Sequence, residues 1–143
     1  MFHHFNWQTI AVIAGLTLWN FYFDLFTETI RGPHVIVFLE HLQRVLHRPL
    51  LVVWDGLPAH RSKLVSEYLR TLNDRIIVER LPAYAPELNP VEYIWAYLKQ
   101  HELPNVCPKD LWQLGSGARR ALKRMRRRPR LITAFWRQAS LWV

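Results

Sequence analysis

Cysteine is almost missing from this chain: Cys107 stands alone among 143 residues. An intramolecular disulfide is therefore excluded, and a reducing cytoplasm is the natural compartment. Long apolar runs are missing too. Segments such as residues 10–16 fall far short of the roughly 20 residues a membrane-spanning helix needs, and no positive charge precedes the first apolar residues as it would in a signal peptide. Acidic residues are absent from both ends of the chain. None precedes Asp24, and residues 111–143 hold 9 Lys/Arg with no Asp or Glu. Residues 1–110 hold 10 Lys/Arg against 11 Asp/Glu, so the whole net charge of +8 resides in the tail. A nearly neutral body with a basic end points to a polyanionic partner, most naturally nucleic acid. The alternative is a solvated basic helix face that only aids solubility.

What is present is enough for one ordinary domain, with 50% hydrophobic and 13% aromatic residues, a composition that can build a core. Residues 8–18 and the run FYFDLF after Trp19-Asn20 read as two antiparallel strands, the first covered on both faces. Asp24 falls inside the second, where a structural role is favoured. Pro33 opens a helix that carries Val35, Phe38, Leu39, Leu42, Val45 and Leu46 at helical spacing. His34, His41 and His47 lie on it without the i, i+4 spacing of a metal-binding pair, and nothing is assigned to them.

Leu50 to Trp54, LLVVW, reads as a central strand covered on both faces. It ends in Asp55-Gly56, and carboxylates at strand ends in α/β sheets face the ligand crevice. Asp-Gly is also a common turn pair, so Asp55 alone leaves metal chemistry and turn initiation equally open. A helix over about residues 62–72 and a strand over 75–81 return the chain to the sheet by a right-handed crossover. PAYAPELNP then stiffens the connection with three prolines. Asn89 is placed as the N-cap and Pro90 as the first residue of the helix VEYIWAYLK, with Glu92 in its first turn. The helix dipole alone would favour an acid at that position. Further on, Leu111, Leu114, Ala118, Leu122 and Met125 make an apolar helical stripe. Arg119, Arg120, Lys123, Arg124, Arg126, Arg127 and Arg128 crowd the rest of that helix as candidate nucleic-acid contacts. After Pro129, residues 131–142 read as a last apolar helix.

VVWDGLPAHRS and LPAYAPELNPVEYIWAYLK resemble the second and third catalytic blocks of DDE-superfamily transposases of bacterial insertion sequences, in the branch akin to Tc/mariner elements. The shared pattern is a hydrophobic strand ending in Asp and a nearby His. It continues as Leu-Pro-x-Tyr-x-Pro-x-Leu-Asn-Pro-x-Glu-x-x-Trp, with a Lys four residues after the Trp. The resemblance implies a ribonuclease-H-like α/β fold, a mixed sheet flanked by helices, here lacking its first strand and carrying a basic C-terminal helical extension. Residues 1–103 would be the partial catalytic domain and 104–143 the extension. In the family three acids bind two divalent cations, Mg²⁺ or Mn²⁺, one activating the attacking oxygen and the other stabilising the departing one. By motif position Asp55 is the second acid and Glu92 the third, each a catalytic and metal-binding residue.

His60 matches a recurring His that positions the metal site or DNA, with a surface or capping role as the alternative. Tyr84 and Asn89 shape the turn that delivers Glu92, and Lys99 contacts a phosphate or makes a structural salt bridge. The first acid and the helix-turn-helix region that recognises terminal repeats lie upstream in the family and are not found in these residues. The expectation is impaired metal binding and a chain inactive by itself. Its partners would be DNA, both transposon ends and target, and either a second copy or a chain supplying the N-terminal part. It would not associate with membranes, and would be nucleoid-associated when bound. The alternative is a non-enzymatic DNA-binding remnant or modulator of transposition acting through the arginine-rich helix.

Overall fold

Among the described residues the strands come in two pairs, and each pair builds its own small sheet. The computed structural model describes residues 10–83, 85–103 and 108–140. The described residues fall into two compact units. One, the terminal unit, is drawn from both ends of the chain, up to Thr29 and from Pro90 onward; the other, the central unit, is Ile30–Asn89.

In the terminal unit β1 (Ala11–Leu16) pairs antiparallel with β2 (Phe21–Phe26), Leu16 opposite Phe21 and Ala11 opposite Phe26. The connection is fastened by its own polar side chains. Thr17 donates backbone N–H and Oγ1–H to the Asn20 carbonyl (2.7 and 2.9 Å), and the Asn20 carboxamide oxygen accepts from the Phe21 N–H at 2.8 Å. Phe21 and Phe23 share one face of β2 and are buried, as the two-residue period requires. They join a core with Ile94 of α3 (Val91–Tyr97), Leu98, Leu122 and Met125 of α4 (Leu111–Arg126), and Ile132 and Phe135 of α5 (Pro129–Gln138). Asp110 caps α4, accepting the Gln113 N–H at 2.8 Å, which satisfies one of the donors a helix start leaves orphaned. Two long-range bonds tie α5 in: Trp136 Nε1–H donates to the Thr17 carbonyl at 2.8 Å and Tyr93 Oη–H to the Gln138 carbonyl at 3.1 Å. The last helix ends at Gln138, with Ala139 as its C-cap and Ser140 in the left-handed region at φ 56°, shorter than the expected span; Leu141 and Trp142 lie outside the described residues.

In the central unit α1 (Gly32–Leu46) leads into β3 (Leu50–Trp54), then α2 (Lys63–Arg70) and β4 (Ile76–Arg80). β3 and β4 are parallel, Leu50 opposite Ile76 and Trp54 opposite Arg80. The ladder is closed by Leu50 N–H to Arg75 O and Leu81 N–H to Trp54 O, both 2.8 Å. Two histidines left without a role by the sequence have structural ones. His34 Nδ1 accepts the Arg31 N–H at 2.9 Å at the start of α1, and His47 ends that helix in the left-handed region at φ 50°. Gly32 sits close against the start of α2: a Cβ there would lie 2.6 Å from Ser62 Oγ, the hydroxyl that accepts the Val65 N–H and caps that helix, and would force it to move.

Two expectations need correction. Among the described residues the strands form two two-stranded sheets rather than one mixed sheet. Nor is β3 covered on both faces: Leu51, Val53 and, on β4, Ile77 are 67%, 55% and 51% exposed. An apolar run reports a strand's composition, not how many layers the chain supplies to cover it. β1 likewise is half-buried along its whole length rather than fully covered.

Candidate active site and basic helix

Asp55 follows the last residue of β3, at the strand end where the parallel ladder stops, so its carboxylate leaves the sheet with the chain about to turn. The turn holds it. Asp55 Oδ1 accepts the Leu57 N–H at 3.2 Å, and the Leu57 carbonyl accepts the His60 N–H at 2.9 Å. That turn brings His60 back beneath Asp55. Its Nδ1 lies 3.0 Å from Asp55 Oδ1 and 3.2 Å from the Asp55 carbonyl oxygen. The imidazole stacks on the Trp54 indole with centroids 4.5 Å apart and planes 7° from parallel. A proton on Nδ1 satisfies both oxygens, which leaves Nε2 as the acceptor of the neutral ring. With side-chain exposures of 34% for Asp55 and 16% for His60, the carboxylate faces solvent over a ring that is packed in place. Such an arrangement fixes the direction of one carboxylate oxygen through a supporting ring, as outer partners of metal-ligating groups do.

Glu92 belongs to the other unit. It stands exposed in the first turn of α3. At the helix entry Pro90 is already helical, at φ −64° and ψ −19°. A 3₁₀ turn at Pro86–Leu88 leads in, with the Asn89 N–H bonded to the Pro86 carbonyl at 3.0 Å and Asn89 itself extended. The proline that follows disfavours helical backbone at Asn89. Tyr84 lies outside the described residues.

Lys99 is exposed on a feature the sequence did not announce. After Tyr97 the helix widens into a π turn, Leu98–Glu102, closed by Leu103 N–H to Leu98 O at 2.9 Å. Such turns gather at functional sites. No local composition encodes an i→i+5 bond, which is why a plain helix through Lys99 was expected.

The seven basic candidates divide into two sets. Arg124 Nη2 donates to Glu102 Oε2 at 2.7 Å, the Arg126 guanidinium lies over the Phe23 ring at 5.6 Å, and Arg128 donates to Tyr97 Oη while covering its ring at 5.8 Å. Those three have partners within the terminal unit. Arg119, Arg120, Lys123 and Arg127 are exposed.

Asp55 and Glu92 are hard oxygen donors of the type Mg²⁺ and Mn²⁺ prefer. Among the described residues no group of three or more His, Cys, Asp or Glu is placed to hold a metal ion. None of the described helices is long and apolar enough to cross a membrane.

A family model described as "DDE superfamily endonuclease" matches residues 3–114, a span that takes in Asp55, His60, Asn89, Glu92 and Lys99 and ends before the arginine cluster. No curated protein matches the chain.

Proposed function

The chain belongs to the DDE superfamily endonucleases, a family that acts on DNA and generally uses divalent metal ions, and on that premise we propose that it is part of a transposase. The proposed source is a bacterial insertion sequence of the Tc/mariner-like branch, and the proposed reaction is cleavage of DNA phosphodiesters followed by strand transfer. Residues 1–103 are its ribonuclease-H-like catalytic portion and residues 104–143 a basic extension. Asp55 is the second metal-binding acid and Glu92 the third. His60 is a positioning residue that aims Asp55, Asn89 shapes the approach to Glu92, and Lys99 meets a DNA phosphate. The protein works in the cytoplasm, on the nucleoid.

The observation that carries this reading is Asp55 itself, presented at the end of a parallel strand and supported by a stacked histidine at 3.0 Å. Residues 1–143 offer two of the three acids, so by themselves they bind the cation pair weakly and do not cleave. The remaining acid would come from polypeptide outside these residues or from a partner chain. The open face of Leu51, Val53 and Ile77 supports such an association, since an uncovered apolar strand pair invites a partner. A Mg²⁺-dependent nicking assay on duplex DNA tests the proposal. No cleavage by residues 1–143 is expected, and robust cleavage that is lost in Asp55→Ala would overturn the claim of inactivity while supporting the assignment of Asp55.

The exposure of Arg119, Arg120, Lys123 and Arg127 favours one second reading, a non-enzymatic DNA-binding protein or modulator of transposition. Its binding would be metal-independent and would fall steeply with salt. A Mn²⁺ titration whose response requires Asp55 and Glu92 favours the enzyme part; a salt-sensitive DNA shift with no metal response favours the binder.

A further inference from the structure

The basic face of α4 also carries an aromatic residue that packing does not explain. Trp112, in the first turn of α4, is 76% exposed, against the trend for large apolar side chains to be covered. At about 100° per residue, Arg119, Trp112, Lys123, Arg127 and Arg120 fall in that order within an arc of about 100° on the helix surface. The opposite side of the helix is the buried one, carrying Ala118, Ala121, Leu122 and Met125. Along the axis the stripe runs about 22 Å from Trp112 to Arg127, with Arg119, Lys123 and Arg127 one turn apart. The arginines that do have protein partners, Arg124, Arg126 and Arg128, are the ones outside this stripe.

We infer that this stripe is a docking surface for single-stranded DNA, with a base stacked on Trp112 and the phosphates that follow it meeting Arg119, Arg120, Lys123 and Arg127. The inference rests on the reading of the chain as a DNA-acting protein and deepens it by naming the form of DNA. Charge complementarity selects a polyanion. The indole selects an unpaired base, because a duplex keeps its base faces stacked on each other, whereas grooves for single strands combine a cationic track with aromatic platforms. Trp19 supplies the contrast: it is 77% exposed, but its hairpin loop, residues 17–20, contains no cationic residue.

The test uses the 143-residue chain with EDTA present, so that metal-dependent chemistry plays no part. Fluorescence anisotropy is followed with a labelled mixed-sequence single strand and with the same strand in duplex. The wild type is expected to prefer the single strand. Trp112→Ala should weaken single-strand binding about tenfold, as loss of one stacked base does, and leave duplex binding nearly unchanged. Trp112→Phe should retain most of the affinity, and Trp19→Ala all of it. Lys123→Gln should weaken both forms and lower the slope of log affinity against log salt by about 0.7 on the single strand. Because Trp112 is so exposed, its replacement should not alter the thermal transition. Duplex preference in the wild type, tighter binding of an RNA strand of the same sequence, or an equal response of both DNA forms to Trp112→Ala overturns the stacking surface and leaves the transposase reading standing. Failure to bind either DNA at low salt removes both the stripe and the DNA-binding reading.

Discussion

Each of the two units contains a pair of strands, and the pairs are treated oppositely. The β1–β2 hairpin commits Phe21 and Phe23 to a core closed by α3, α4 and α5. The β3–β4 pair turns Leu51, Val53 and Ile77 to solvent. Yet the open pair is the one that presents Asp55, and the residues that orient its carboxylate, Trp54, Leu57 and His60, all lie within five residues of it in sequence. Orientation of this acid is therefore a local property of one strand end and one turn, and it does not require the face of the sheet to be covered.

The largest expected effect breaks or upholds that contrast directly. Phe135→Ala in the closed core should cost about 3–5 kcal/mol, from lost transfer energy plus the cavity left behind. Leu51→Ala or Val53→Ala should cost less than about 0.5 kcal/mol, since little apolar area is withdrawn from water there. Urea denaturation of the purified chain measures both. A loss above about 2 kcal/mol for Leu51→Ala would mean that the face is covered in solution, by a second copy or otherwise, and concentration dependence of the transition would identify self-association.

The next effect sharpens the description of the central unit. Gly32→Ala forces a Cβ to within 2.6 Å of Ser62 Oγ and should destabilise by about 1–3 kcal/mol through overpacking. Ser62→Ala alone should cost about 1 kcal/mol by removing the cap of α2. Combined, the two should cost clearly less than their sum, because the hydroxyl that clashes is already gone. Simple additivity would show that the start of α1 does not rest against that hydroxyl.

Periodicity and punctuation made most of this chain legible. The β-branched run before Asp55, the proline at the start of α1 and the stripe of Leu114, Ala118, Leu122 and Met125 each report a local preference that the fold keeps. Illegible were the properties set by distant or collective partners. Nothing in LLVVW says how many layers will cover it. Nothing near Arg126 announces Phe23, and nothing near Arg128 announces Tyr97. Of the site, Asp55 and His60 were visible as a motif at a spacing of five, but the stacking on Trp54 that fixes the imidazole is a matter of side-chain direction. The exposed Trp112 escaped notice for a related reason: in sequence it looks like one more apolar residue ahead of a helical stripe.

The support given to Asp55 separates into two parts that substitution can isolate. His60→Ala removes both the hydrogen bond to Asp55 and the stack on Trp54, and should cost about 1–3 kcal/mol of stability. His60→Phe keeps a ring for Trp54 to pack against and removes only the hydrogen bond, so it should recover part of that loss. If His60→Phe is as damaging as His60→Ala, the ring's contribution is the polar contact alone. If it restores wild-type stability, the bond to Asp55 contributes orientation rather than energy.

The smallest effect tests the division among the arginines of the closed unit. Arg124 reaches a Glu102 carboxylate whose side chain is only 15% exposed, a geometry better than that of most surface ion pairs. Arg119, one helical turn and one residue earlier, is exposed. Arg124→Gln should therefore lower stability by about 0.5–1 kcal/mol, with the loss diminishing as salt is raised, whereas Arg119→Gln should change it by less than about 0.3 kcal/mol. DNA binding should rank the two in the opposite order. An arginine whose charge is already answered by Glu102 has less to offer a phosphate, so Arg119→Gln should weaken binding more than Arg124→Gln. Equal losses of affinity would mean that Arg124 leaves Glu102 when DNA is present, and that the structural and DNA-facing sets exchange members on binding.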